Sequence, residues 1–200
     1  TGAHNLTEVR QTMEVLDRAG VSDVALLHCV SSYPTPLKSI NVRAVATLAE
    51  EFDVPVGLSD HTLDPTTAPR AAVALGADVI EKHVTTDSSR DGLDHSFALE
   101  PDELAEMVEA IRATESALGD GEVTVQDEER DWYENARRTL QATRDIDSGE
   151  ILAESDIGVL RSGERKRGLH PEAYERVLGS RATRDLEAGT GITDEDIQER

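Results

Sequence analysis

Three histidines stand at matching places in the first half of the sequence: His28 in LLHC, His61 closing GLSDH and His83 closing VIEKH. Each follows a short apolar run, the pattern of a strand end. A neutral imidazole offers one lone-pair nitrogen to a divalent metal, and imidazoles on adjacent strand ends can share an ion whose other positions are filled by oxygen ligands or water. A lone histidine at a strand end reads as a hydrogen-bonded structural group, whereas three in one register predict one shared mouth. VIEKH is charged as well, with Glu81 and Lys82 preceding His83. Because side chains alternate along a strand, Glu81 is expected on the face of His83 and Lys82 on the other, with Ser59 likewise on the face of His61. Glu81 would then lie one layer beneath His83, orienting a ligand or balancing charge. Lys82 would pack outward or reach over the rim.

The segments after these strands are polar and braced. VSSYPTP (30–36) supplies Ser31, a second hydroxyl and Tyr33 on a proline turn, and SDHT (59–62) supplies Ser59 and Thr62. Hydroxyls and backbone amides at such places suit phosphate or sugar hydroxyls. In the longer loop DSSRDGLDHS (87–96), Asp94 or His95 could close over a ligand. No nucleophile triad, P-loop or dinucleotide fingerprint is present.

The elements that must position these residues alternate. Residues 5–20 predict a helix capped by Asn5 with Glu8 three residues later and ended by Gly20. Residues 23–29 predict a strand, 40–52 a helix, 55–60 a strand, 66–77 a helix, 78–83 a strand and 101–119 a helix opening on Pro101. Strands that are apolar without alternation, interleaved with helices, indicate a parallel sheet with both faces covered. Three strands delivering their polar ends to one side fit the C-terminal face of an α/β barrel or open sheet. Residues 120–138 are acidic, hold Trp132 and Tyr133, and read as a linker with a short helix. Beyond them RDIDSGEILAESDI (144–157) is matched by RDLEAGTGITDEDI (184–197), aligning Arg144 with Arg184, Gly149 with Gly189, Leu152 with Ile192 and Asp156 with Asp196. That repeat predicts a small, pseudo-symmetric, mostly β module of two related halves.

A net charge of −21 disfavours general affinity for nucleic acid, which needs a basic face. The acid is spread along the chain, and lysine is confined to Lys38, Lys82 and Lys166, a pattern expected of a high-salt cytoplasm in which screening relieves self-repulsion. No stretch approaches the length of a membrane span and no signal-like leader is seen, so the chain is expected to be soluble and cytoplasmic, without a membrane partner. The single Cys29 cannot form an internal disulfide.

Taken together and in order, LLHCVSSYPTP, VGLSDHT, GADVIEKHVT, GLDHSFALEPDEL and a repeat-built tail holding VLRSGERKRGL make the sequence resemble the N-acetylneuraminate (sialic acid) synthase family over nearly its whole length. The resemblance implies an α/β fold: the last strands and helices of a (β/α)8 barrel over residues 1–119, a linker over 120–138, and an antifreeze-like SAF domain over 139–200. It implies condensation of phosphoenolpyruvate with N-acetylmannosamine or a related 2-acetamido sugar, with release of phosphate. His61 and His83 are implied to ligate Mn2+ or Mg2+, and the strand parity above adds Glu81 to them as the catalytic group. Ser59 is implied to hold the phosphate of phosphoenolpyruvate, and Tyr33 and Asp94 to contact the amino sugar. Ser31 stands where some relatives carry an Asn near the phosphate. Arg161 matches an arginine that reaches the sugar site of the other subunit in a domain-swapped homodimer, although the motif here reads RSG where RPG is usual. His28 is not a metal ligand in that pattern, which overrides the three-histidine site.

By that resemblance the first five barrel strands precede Thr1, and residues 1–200 alone are expected to be inactive or poorly folded. Other expectations also stand: an acceptor leading to legionaminic or pseudaminic acid or a phosphorylated one, a non-catalytic remnant serving as a carbohydrate-binding or dimerisation module, and another metal-dependent barrel such as an aldolase.

Overall fold

Helix α1 (Leu6–Arg18) begins where the sequence places its cap: Asn5 Oδ1 accepts the Glu8 N–H at 3.1 Å and Glu8 returns a carboxylate oxygen to the Asn5 N–H at 2.8 Å. The protein is described by a computed structural model over residues 1–199, which divides into two units, Thr1–Glu122 and a second that begins at Val123.

In the first unit α1 is followed by β1 (Leu26–Cys29), α2 (Ala44–Glu51), β2 (Val56–Asp60), α3 (Thr67–Ala74), β3 (Val79–Lys82) and α4 (Pro101–Leu118). Two elements start later than their sequence patterns indicate. Residues 23–25 precede the first paired residue of β1, and a tight turn at Leu37–Ser39 followed by Asn41 in left-handed conformation delays α2. The strands form a parallel sheet in the order β1-β2-β3, with Cys29 beside Ser59 and Ser59 beside Glu81. At one edge the Thr1 hydroxyl donates to Leu27 O at 3.1 Å. At the other, Leu99 pairs in parallel with Val84 and donates its N–H to His83 O at 2.9 Å.

Register divides the side chains into two sets. His28, Leu58 and Ile80 share the face on which α1, α2 and α3 pack, and Leu58 is sealed among Val9, Val45, Leu48, Ala68 and Ala72. Cys29, Ser59 and Glu81 share the opposite face, where Val79 is 38% exposed and Glu81 is exposed. The expectation of a sheet covered on both faces is thus corrected: within this unit the helices cover one face, and the other carries the polar strand ends. Gly57 lies on that second face at a close approach of β2 and β3, where a Cβ would collide with the Val79 carbonyl.

The second unit holds the repeat. Strands β4 (Arg138–Ala142) and β5 (Ile157–Arg161) pair antiparallel, as do β6 (Arg181–Ala182) and β7 (Ile197–Gln198), with the short helix α5 (Tyr174–Val177) between the two pairs in sequence. The halves exchange contacts reciprocally. Ser148 N–H donates to Asp185 at 2.7 Å while Ala188 N–H donates to Asp145 at 2.8 Å. Gly149 N–H bonds Ala182 O at 2.8 Å while Gly189 N–H bonds Ala142 O at 2.7 Å. Leu140, Ile146, Leu152, Leu186 and Ile192 fill the space between them. The two-half β module read from the repeat is present, and the matched residues hold matched places.

Candidate active site

His61 is built into the end of β2 from both sides. Its ring is 5% exposed, and its Nδ1 lies 3.0 Å from Val30 O. A carbonyl only accepts, so in the neutral ring the proton sits on Nδ1 and Nε2 keeps its lone pair. The His61 carbonyl accepts the Thr35 N–H at 2.8 Å, and the Thr35 hydroxyl turns back to Ser32 O at 2.8 Å, so the 30–36 loop and the strand end hold each other. Cys29 Sγ lies 4.0 Å from the same Nδ1.

His83 follows the last residue of β3, and its ring centroid is 5.2 Å from that of His61. The Tyr33 ring lies tilted against that of His61 at 4.2 Å, and Phe97, which is 5% exposed, lies 5.0 Å from His83 and 5.5 Å from Tyr33. The two imidazoles thus stand at the edge of an aromatic cluster, with Tyr33 itself 55% exposed. Asp94 reaches from the 87–96 loop to 3.8 Å from His83 Nδ1. His95, the other candidate of that loop, is tied to the Thr85 hydroxyl at 2.8 Å. The loop is anchored by carboxylates. Asp87 accepts from Ser89 Oγ and N, and Glu100 from Ser88 N and Oγ, at 2.6 to 2.9 Å. The Ser89 bonds hold the Asp87 carboxyl below its ordinary range, and the Ser88 bonds do the same for Glu100.

One rung below the histidines, Ser59 Oγ donates to Glu81 Oε1 at 2.6 Å. On the opposite face, Lys82 Nζ lies 2.7 Å from Asp60 Oδ2 with both side chains sealed from solvent, 2% and 0% exposed. Of the two expectations for Lys82, packing outward holds and reaching over the rim does not: the stem faces the helices, and the charge is buried there because Asp60 stands opposite it in register. His28 is corrected too. It pairs with Leu58, three residues before His61, and its Nε2 bonds Ile40 O at 2.7 Å on the helix side. Ser31 is exposed with its hydroxyl against Gly2. Arg161 belongs to the second unit, exposed at the end of β5 opposite Arg138.

The donor set fits a divalent metal in part. It offers two imidazoles on neighbouring strand ends, one with its tautomer fixed so that Nε2 is free to ligate. Among the described residues no cluster of three or more His, Cys, Asp or Glu side chains is gathered for a metal, so a bound ion would draw its remaining ligands from water or substrate oxygens.

Residues 1–123 match the family model described as NeuB family, and residues 137–198 match that of the SAF domain. The chain belongs to the NeuB family. The resemblance to N-acetylneuraminate synthases read from its motifs therefore holds, and the repeat-built module is the SAF domain of that pairing. Among relatives, the pseudaminic acid synthase of Campylobacter jejuni is 39% identical over 99% of this chain and 56% of its own length. The N,N′-diacetyllegionaminic acid synthase of Legionella pneumophila gives the same figures, 39%, 99% and 56%. The crystal structure of spore coat polysaccharide biosynthesis protein SpsE from Bacillus subtilis, 39% identical, covers all of this chain and 60% of its own with a TM-score of 0.57. The chain spans about half the length of the curated relatives it matches.

Asp60, Cys29 and Phe97 carry no site role in the sequence reading, and all three touch the site or its backing. A signal for Asp60 was there: it precedes His61 as Lys82 precedes His83, opposite charges at one level of adjacent strands.

Proposed function

We propose that this NeuB-family chain forms the C-terminal βα units and SAF domain of a (β/α)8-barrel nonulosonic acid synthase, joining phosphoenolpyruvate to an N-acetylated amino sugar in the cytoplasm. C3 of phosphoenolpyruvate bonds to the aldehyde carbon of the open-chain sugar, water adds at C2, and phosphate departs by C–O cleavage. Ser59 and Ser31 hold the phosphate end, Tyr33 and Asp94 the amino sugar. Glu81, bonded to Ser59 at 2.6 Å, takes or returns a proton beside the bound phosphate. A divalent ion, Mn2+ or Mg2+, held by His61 and His83 would polarise the sugar carbonyl. Arg161 serves the sugar site of a second copy in a domain-swapped homodimer. Holding two small polar substrates against the Tyr33, His61 and Phe97 cluster supplies positioning.

The observation that carries this reading is the fixed tautomer of His61, which leaves Nε2 free beside His83. Calorimetric titration of Mn2+ into the full-length protein, with phosphate release from phosphoenolpyruvate and N-acetylmannosamine followed in parallel, tests it. His61→Ala and His83→Ala are each expected to lower Mn2+ affinity by at least tenfold, on the order found when metal sites lose supporting groups. Unchanged affinity in both would remove the metal assignment. Activity only with acceptors leading to pseudaminic or legionaminic acid is the second reading, favoured by the 39% identity to synthases named for those products.

A further inference from the structure

We infer that Asp60 and Lys82 are a positioning pair for the two histidines, acting through Thr62; this rests on the proposed metal site and deepens it. The ties converge on the residues either side of His61. Asp60 Oδ1 accepts the Thr62 N–H at 2.8 Å, and Oδ2 accepts the Thr62 hydroxyl at 3.1 Å. Lys82 Nζ bridges Asp60 Oδ2 and Thr62 O. The N–H, hydroxyl and carbonyl of Thr62 are therefore all held by one buried pair, and Asp60 and Thr62 flank His61 directly. Lys82 in turn is joined by a peptide bond to His83. One ion pair thus fixes the backbone on which both imidazoles stand, from the face opposite to the one they serve.

Stability alone does not account for such a pair. Removing two charges from water costs more than burying two apolar side chains of similar volume, so an apolar pair would hold β2 against β3 at least as well. What apolar groups cannot do is seize three polar atoms of one residue in fixed directions. The position supports the same view: Ser59 and Glu81 already tie the strands one rung below on the other face, so a second polar tie is redundant as strand glue and not redundant as a brace for Thr62.

The test uses the full-length protein with Asp60→Leu and Lys82→Met combined, which removes both charges and leaves none unpaired. Two measurements are made: 15N chemical shifts of the His61 ring in metal-free protein, and Mn2+ affinity by calorimetry. The expected result is a folded protein whose His61 shifts move from one Nδ1–H form toward a mixture and whose Mn2+ affinity falls about tenfold. A folded double variant with unchanged ring shifts and unchanged Mn2+ affinity overturns the inference. His61→Ala run alongside separates the two readings: affinity lost there but kept in the double variant sinks only the positioning role, while affinity kept in both sinks the metal site as well. Should the double variant not fold, Thr62→Val, which deletes the hydroxyl that reaches Asp60 Oδ2 at 3.1 Å and Asp64 O at 3.3 Å, is expected to give the same ring-shift change and about threefold weaker Mn2+ binding; no change in either would overturn the inference equally.

Discussion

Asp60 in the first unit and Asp156 and Asp196 in the second are all buried carboxylates facing a cation, and their surroundings differ. Asp60 meets an ammonium that is itself sealed from solvent. Asp156 and Asp196 meet Arg144 and Arg184, which are 49% and 53% exposed, and each also accepts the N–H that opens its turn, Ala153 and Thr193, at 2.9 Å. Among the described residues the tail arrangement occurs twice with the same spacing, and the Asp60 arrangement occurs once, behind the histidines. A carboxylate that caps a turn and touches water through its arginine is a fold device, and duplication copies it. A carboxylate that gives up water entirely for one lysine beside a ligand set is better explained by what it orients.

The comparison is broken first by removing one partner from each region. Lys82→Met leaves Asp60 buried without its cation, and a loss of about 3–5 kcal/mol is expected in urea unfolding of the full-length protein. A loss smaller than that of the tail variants would erase the distinction drawn here. Asp196→Ala and Asp156→Ala are expected to cost about 1–3 kcal/mol each through unsatisfied turn donors. Asp196→Ala should cost more, because the Thr193 hydroxyl bonds that carboxylate at 2.8 Å, where Asp156 has the longer Ser155 hydroxyl bond at 3.2 Å.

Acid sharpens the same contrast. The Ala153 N–H and Arg144 hold the Asp156 carboxyl below its usual range. Burial pushes Asp196 up, but Arg184 and Thr193 outweigh it and the net shift is also downward. A carboxyl lowered on folding contributes stability that is present above its unfolded value and lost as pH falls through the folded one. Tail unfolding followed by far-UV circular dichroism is therefore expected to set in below about pH 4, near the unfolded carboxylate value, and Asp156→Asn should flatten that dependence. Arg144→Lys and Arg184→Lys should have the smallest effects, a urea midpoint shift below that of the matching aspartate variant, since the arginines are half exposed.

Much of this was legible in the residues. Asn5 with Glu8 marks α1 to within two residues, and the forty-residue offset that pairs Arg144 with Arg184 gives the module its symmetry before any coordinates. Alternation alone puts Ser59 and Glu81 on one side and Lys82 on the other. What alternation within one strand does not give is register between strands. That is why His28 looked equivalent to His61 and is not: it pairs with Leu58, three residues before His61, and the odd offset turns it to the helix side. The partner of Lys82 was hidden for the same reason, as was the aromatic setting of His83, because Phe97 arrives from a loop fourteen residues further along the chain.

The crossed ties of the tail join residues 37 and 43 positions apart, Ser148 to Asp185 and Ala188 to Asp145. During synthesis at about 5 to 20 residues per second, the earlier half emerges roughly 2 to 8 seconds before the residues that complete it. For that interval Leu140, Ile146 and Leu152 have no second half to cover them. The module therefore has one folding event, timed by its last strand, and a sticky nascent surface until then.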